Sequence, residues 1–352
     1  MIIESFLRHK IQFSGPVSVS DFMRAILSFP KEGYYTRKEK DIIGAKGDFT
    51  TSPEISQLFG EVIACWFLSK VHEKQTYNII ELGPGRATLL RDVIRTIETL
   101  KKIDIGSITL LESSEHFKNI QKQTLTPLGY DIKWIHDLSE CQEIHDSNKI
   151  IICHEFFDSL PIHVFERDSR DTFGEILVDF VRNNFTFVKS ARPTINCRLL
   201  KIDEMFPCSR YMPNSVEVSP LSWKFARDLA KIGRDTCHTI GIIADYGLYG
   251  PSTSSLRAIK DHGILSSPFK YIGKADLSAN VDFMALDFYL RSTYKTFFQT
   301  QREFLLSNHI AARASVLLKN YSNQAENAIG LHRLTDENRM GNVYKFLCFE
   351  KK

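Results

Sequence analysis

The chain has 352 residues, 43% of them hydrophobic and 25% charged, enough for one large domain or for one domain with a smaller attachment. Its net charge of +3 is too small to argue for nucleic acid or a membrane surface, and no apolar run is long enough to insert into a bilayer. The 7 cysteines (Cys65, Cys141, Cys153, Cys197, Cys208, Cys237 and Cys348) are odd in number and contain no Cys-x-x-Cys, so they suggest neither a disulfide framework nor a zinc site and suit a reducing compartment.

Residues 1–30 read as helices. Ser18-Val19-Ser20 and Asp21 lead into the amphipathic run Phe22-Met23-Arg24-Ala25-Ile26-Leu27 as a capped start, and Pro30 to Tyr35 breaks the pattern. Met1 to Lys10 shows neither a signal-peptide core nor an arginine-rich, acid-free leader. That points to the cytoplasm of a bacterium, or to a processed form. Gly47 to Glu61 begins as a polar loop with hydroxyls at Thr50, Thr51 and Ser52. It continues as a helix with Ser52 as cap, Pro53 at the first position, and a buried stripe through Ile55, Leu58, Phe59, Val62, Ile63, Trp66 and Phe67. A capped surface helix explains the second half but not the hydroxyls, and ordered polar loops often carry function.

Strand–helix alternation starts at Tyr77. Strands are expected near 77–82, 107–112, 131–136 and 149–153, with helices near 86–102 and 114–124. Leu89, Leu90, Val93, Ile94, Ile97 and Leu100 form the apolar face of the first helix. This pattern predicts an α/β fold with a mostly parallel, doubly wound sheet, whose ligands bind at the carboxyl ends of the strands. Those ends carry Glu81, Glu112, His136-Asp137 and His154-Glu155.

The first strand runs into Glu81-Leu82-Gly83-Pro84-Gly85, where glycine lets backbone approach a ligand closely. A dinucleotide fingerprint needs a third glycine, but Thr88 stands in its place, and the next strand-end acid, Glu112, comes late. Glu81 would repel phosphate but suits the amino group and sulfonium of S-adenosylmethionine. Glu112 is placed to accept hydrogen bonds from both ribose hydroxyls. Candidate cofactor contacts are therefore Glu81, Gly83, Pro84, Gly85, Glu112, Asp137 and the adjoining Leu138. A βα corner with no ligand is the plainer alternative, and a nicotinamide dehydrogenase the fold-level one.

The fourth strand gives Ile150-Ile151-Ile152-Cys153-His154-Glu155-Phe156-Phe157-Asp158. Glu155 and Asp158, flanked by aromatics, would sit beside the methyl group of a cofactor at Gly83–Gly85. The alternative is a loop with Phe156 and Phe157 in the core and solvated acids. Further on, residues 162–200 read as meander strands turning at Asn183-Asn184. Ser219 and Pro220 open a helix through Leu229, and Thr239 to Asp245 is a strand ending in an acid. Leu256 to Asp276 reads as loop, Val281–Ser292 and Gln301–Leu318 as helices, and Asn342–Phe349 as a last strand. His136, His145 and His154 form no ligand set, and no metal site is expected.

Four stretches together resemble the MidA family of S-adenosylmethionine-dependent methyltransferases, relatives of the mitochondrial complex I assembly methyltransferase. They are Gly47 to Glu61, Glu81-Leu82-Gly83-Pro84-Gly85, Glu155-Phe156-Phe157-Asp158-Ser159-Leu160-Pro161 and Asp245-Tyr246-Gly247; Asp276 to Phe283 is similar to a late segment of that family. The resemblance implies a class I methyltransferase (Rossmann-like) fold: a helical extension with a cofactor-covering loop over 1–75, and a core over 76–352 with helical and β insertions near 165–215 and 250–330. It implies methylation of a protein arginine, on a subunit of NADH dehydrogenase, in the mitochondrial matrix if the source is eukaryotic. Glu155 and Asp158 are then the catalytic carboxylates that hold the guanidinium, with Phe156 and His154 beside the acceptor. Two positions depart from the family pattern. Ala87 replaces a glycine, which is tolerable at negative φ, and His154 stands where asparagine is usual. A small-molecule or other side-chain methyltransferase, and a cofactor-binding assembly factor without turnover, remain the alternatives.

Overall fold

A computed structural model describes residues 2–37, 42–44, 47–143, 147–169, 171–206, 213–234, 236–320 and 324–352; His145 and Cys208 lie outside the described residues. The chain divides into two compact units, one of residues 41–157, 223–247 and 285–352, the other of residues 1–40, 158–222 and 248–284.

The first unit is built on a sheet of β1 (Thr76–Leu82), β2 (Asp104–Leu111), β3 (Ile132–Ile135), β4 (Asn148–His154), β5 (Thr239–Leu248), β6 (Tyr294–Thr300) and β7 (Tyr344–Lys351). Their spatial order is β3-β2-β1-β4-β5-β7-β6. The first five pair with one another in parallel, and β7 runs antiparallel to both β5 and β6. Central parallel strands are covered on both faces and need apolar side chains throughout. Ile150, Ile151, Ile152 and Cys153 in β4, and Ile240, Ile242, Ile243 and Ala244 in β5, are accordingly all buried. The order reverses between β1 and β4. That reversal opens the crevice outside their carboxyl ends in which such sheets bind ligands.

Helices α1 (Gln57–Lys70), α2 (Thr88–Leu100) and α3 (Glu115–Leu125) belong to this unit. α1 and α2 supply Leu58, Phe59, Val62, Ile63, Phe67, Leu89, Leu90, Val93, Ile94 and Ile97 to its core. Leu100, expected on that face, is half exposed because it is the last residue of its helix.

The other unit holds the helices Ile2–Ser14 and Val19–Ser28, the second with the expected capped start, Ser18 accepting the Asp21 N–H, the short helices Ile195–Leu199 and Ile202–Met205, and a β-sheet. Its strands are Val17–Ser18, Phe173–Val181, His163–Arg167 and Ser215–Val218 in that order, with Asn184–Lys189 against Phe173–Val181. The hairpin turns at Arg182 and Asn183, φ 49° and 64°, one residue earlier than expected.

The division of the chain differs from a boundary at 75/76. Residues 41–75 belong with the sheet because α1 contributes to its core, and residues 285–330 belong there because they supply β6 and core residues Phe304, Leu305, Ile310 and Ala314. Three further expectations change. Residues 256–276 contain the strands Arg257–Lys260 and Gly263–Ile264, which form a small sheet with Asp276–Ser278. The helix over 281–292 shortens to Phe283–Leu290. The helix over 301–318 breaks into Gln301–Ser307 and a helix from Ile310, because His309 is left-handed at φ 61°.

Candidate active site

The corner after β1 is set by backbone conformation. Gly83 donates its N–H to the Leu111 carbonyl at 3.0 Å, and Ala87 donates to the Pro84 carbonyl at 2.7 Å. Gly83 and Gly85 have φ of 62° and 52°. A Cβ on Gly83 would stand 2.7 Å from Phe156 Cδ2, and one on Gly85 3.0 Å from Ile43 Cδ1. Both positions therefore favour glycine for conformation, and Gly83 for room as well. Ala87 is also left-handed, at φ 60° and ψ 24°, and fully buried. The condition of negative φ, under which alanine is tolerated without strain, is therefore not met. A non-glycine residue so held costs about 1–2 kcal/mol.

The two strand-end acids differ. Glu81 is buried, and among the described residues its Oε2 has no hydrogen-bond partner. Burial pushes its carboxyl up to about 8. Such an orphaned oxygen beside a glycine cradle fits a ligand that brings a positive group. Glu112 instead is furnished with donors, the Ser113 N–H among them. The Ser114 N–H donates to Oε1 at 2.8 Å and the Gln121 amide to Oε2 at 2.9 Å. Burial raises its carboxyl, and these donors oppose the shift. A carboxylate has about four acceptor sites, so with three donors in place one remains for a hydroxyl. The residues present thus fit S-adenosylmethionine at the β1 and β2 ends.

After β3, Asp137 Oδ1 accepts the Ser139 N–H at 2.9 Å and Oδ2 accepts Lys224 Nζ at 2.9 Å. These bonds hold its carboxyl down to about 2. Leu138 beside it is buried.

At the end of β4, the His154 ring meets Phe59 edge-on at 5.3 Å. Burial lowers its imidazole to about 3, so it is neutral. Its Nε2 stands 3.5 Å from Glu155 Oε1, without an ionic attraction. Glu155 has φ 48° and donates its N–H to the Ala244 carbonyl of β5 at 2.9 Å. Phe156 packs edge-on to Phe157 and Phe225 at centroid distances of 5.3 and 5.0 Å, and its ring covers Gly83. Asp245, at the end of β5, accepts the Phe157 N–H on Oδ2 at 3.0 Å. The β4 turn is thus tied to β5 on both sides of Phe156.

Asp158 belongs to the other unit, where it is buried and its carbonyl accepts the Ala279 N–H at 3.0 Å. There Tyr35 donates its hydroxyl to Asp276 Oδ1 at 2.9 Å. Burial, then the charges of Asp276 and Asp158, raise the Tyr35 phenol.

The loop before α1 lies on the glycine corner. Arg86 Nη1 donates to the Ile43 carbonyl at 3.3 Å, and the Thr88 hydroxyl donates to Glu54. Ser52 does not cap a long helix. Ser52–Ile55 is a single turn, Ser56 is extended, and Ser56 caps α1 by accepting the Leu58 N–H at 3.3 Å. Ser52 Oγ instead donates to Gln301 Oε1 at 3.3 Å.

Sequence reading assigned no role to Asp245, Ile43 or Gln121. Gln121 left a signal: Phe117, Gln121 and Leu125 recur at four-residue steps and form the buried face of α3, so an amide occupies an apolar position.

A family model for S-adenosyl-L-methionine-dependent methyltransferases matches residues 62–300. The chain is 34% identical to the mitochondrial protein arginine methyltransferase NDUFAF7 of Danio rerio, over 98% of this chain and 86% of the relative. It is 34% identical to that of Homo sapiens, over 80% of this chain and 67% of the relative. A protein from Burkholderia thailandensis crystallised with S-adenosylhomocysteine shares the fold, with a TM-score of 0.82 at 20% identity, over 99% of this chain and 92% of that one. The glycine corner, the strand order and these matches agree: the chain belongs to the MidA family of S-adenosylmethionine-dependent methyltransferases.

Proposed function

We propose that the chain methylates an arginine of a protein, with Glu155 as the acid that receives the guanidinium. A subunit of NADH dehydrogenase is the candidate acceptor, met in the mitochondrial matrix or, in a bacterium, in the cytoplasm. When bound, S-adenosylmethionine supplies an electrophilic methyl group. Glu81, Gly83, Pro84, Gly85 and Glu112 would hold it, with Asp137 and Leu138 at the next strand end.

The observation that carries this reading is the backbone of Glu155. It is a non-glycine residue at φ 48°, pinned to β5 and followed by the phenylalanine that covers Gly83. Strained residues persist where the surroundings over-determine them, and they cluster at functional sites. A guanidinium is charged at any physiological pH. A carboxylate that grips two of its nitrogens localises the charge there and leaves the third more nucleophilic. Alignment of the reactants then accounts for roughly 7–11 kcal/mol of the barrier. Support for arginine comes from the relatives named protein arginine methyltransferases, and support for acid recognition from Glu155 at the end of β4.

Glu155→Gln is expected to lower turnover roughly 100-fold or more while S-adenosylhomocysteine affinity stays within about threefold. Equal losses in both would make Glu155 a support of the pocket. The assay incubates labelled S-adenosylmethionine with lysate and reads methylarginine by mass spectrometry. Label confined to small molecules would overturn a protein acceptor. No label beside measurable cofactor binding would leave a binding factor without turnover.

A further inference from the structure

The amide of Gln121 makes three hydrogen bonds, and it is completely buried. Nε2 donates to the Gly85 carbonyl and to Glu112 Oε2, each at 2.9 Å. Oε1 accepts the Trp134 indole N–H at 2.8 Å. An indole N–H only donates, so the amide oxygen must face Trp134. The two amide hydrogens then face the two acceptors. Rotating the group by half a turn would oppose donor to donor and oxygen to oxygen, so one orientation is allowed.

One side chain on α3 thereby joins the glycine corner after β1, the acid after β2 and the indole in β3. We propose that Gln121 is a positioning residue for cofactor binding. It sets the carboxylate plane of Glu112, and it fixes the distance from that carboxylate to the Gly85 carbonyl. The ribose and the chain carrying the sulfur are then received in one register. This rests on the reading of Glu112 as the ribose acceptor. Two of the three bonds of Gln121 reach parts of the candidate cofactor site, whereas a glutamine that merely filled the core would need partners of any kind.

The test is calorimetric titration of the full chain with S-adenosylhomocysteine. Gln121→Met keeps the volume and removes all three bonds; Trp134→Phe leaves Gln121, Gly85 and Glu112 in place and frees the amide to turn. We expect Gln121→Met to weaken binding about tenfold or more, and Trp134→Phe about threefold. The loss should be non-additive with Glu112→Gln: the double variant should bind within about threefold of Glu112→Gln alone. A structural role would lower the melting temperature of the ligand-free protein without that non-additivity. Wild-type affinity in both single variants, or losses that simply multiply in the double variant, would overturn the proposal. Should Gln121→Met fail to fold, Trp134→Phe and its combination with Glu112→Gln decide by the same criterion. Absence of binding by the wild type would overturn the cofactor reading itself, a different result from wild-type binding matched by its variants.

Discussion

The ends of β1 and β2 carry the same residue type at the same topological place, yet the fold treats the two acids oppositely. Glu81 is enclosed with an oxygen left without a partner among the described residues, and its carboxyl is pushed up to about 8. Glu112 is surrounded by donors that hold it in one orientation. A bare buried carboxyl is poised for a cation, because a positive charge restores its ionised form. A furnished carboxylate is poised for a neutral hydroxyl, because direction and a spare acceptor site decide. A nucleoside with a charged sulfur and amino group at one end and a diol at the other matches both. Position on the sheet alone therefore does not assign a role to an acid; its partners do.

The contrast can be broken by exchanging what each acid has. The largest expected effect is at Glu112. Glu112→Ala should weaken S-adenosylhomocysteine binding roughly 100-fold, since bonds to a charged acceptor contribute about 1.5–3 kcal/mol each. The pH dependence of binding should remain. Titration calorimetry across pH checks both, and unchanged affinity would remove Glu112 from the ribose role.

A smaller effect is expected at Glu81, and its sign follows from linkage. The folded, ligand-free protein keeps the Glu81 proton up to about 8, whereas the unfolded chain loses it near 4.5. Between those values the folded state binds more protons, so this group's contribution to stability falls as pH rises. Glu81→Gln should flatten that slope, and thermal melts at pH 5 and pH 8 would show it. A slope identical to the wild type's would contradict the assignment.

The smallest effect is at Ala87. Because its φ is 60°, Ala87→Gly should raise stability by about 1 kcal/mol, less the added freedom of the unfolded chain. Chemical denaturation is sensitive enough to see it, and a loss of stability would mean that the methyl packs better than the backbone strains.

The parallel part of the fold was readable because its strands are continuous β-branched runs ending in acids, such as Ile150-Ile151-Ile152 into His154-Glu155. The glycine corner was readable for the same reason: Gly83 and Gly85 have a local cause. What escaped is long-range. Strand β6, Tyr294-Lys295-Thr296-Phe297-Phe298-Gln299-Thr300, alternates weakly, with Phe297 exposed and Phe298 half-buried, and it is defined by pairing with β7. The small sheet at 257–278 is likewise made by pairing between short, polar segments. Gln121 acquires meaning only when α3 brings it to Gly85, Glu112 and Trp134, three places distant in sequence. The sign of φ at Ala87 depends on the turn closed by Pro84, which residue type alone does not reveal.

One measurement reaches the core of this reading: proton release on binding S-adenosylhomocysteine at pH 7, obtained by calorimetry in two buffers of different ionisation enthalpy. Glu81 is mostly protonated in the ligand-free protein at that pH, and a ligand ammonium beside it favours the carboxylate. Close to one proton should leave per ligand bound in the wild type, and almost none in Glu81→Gln. Tight binding with no proton released, or the same release from the variant, would contradict the placement of the cofactor's positive end at Glu81.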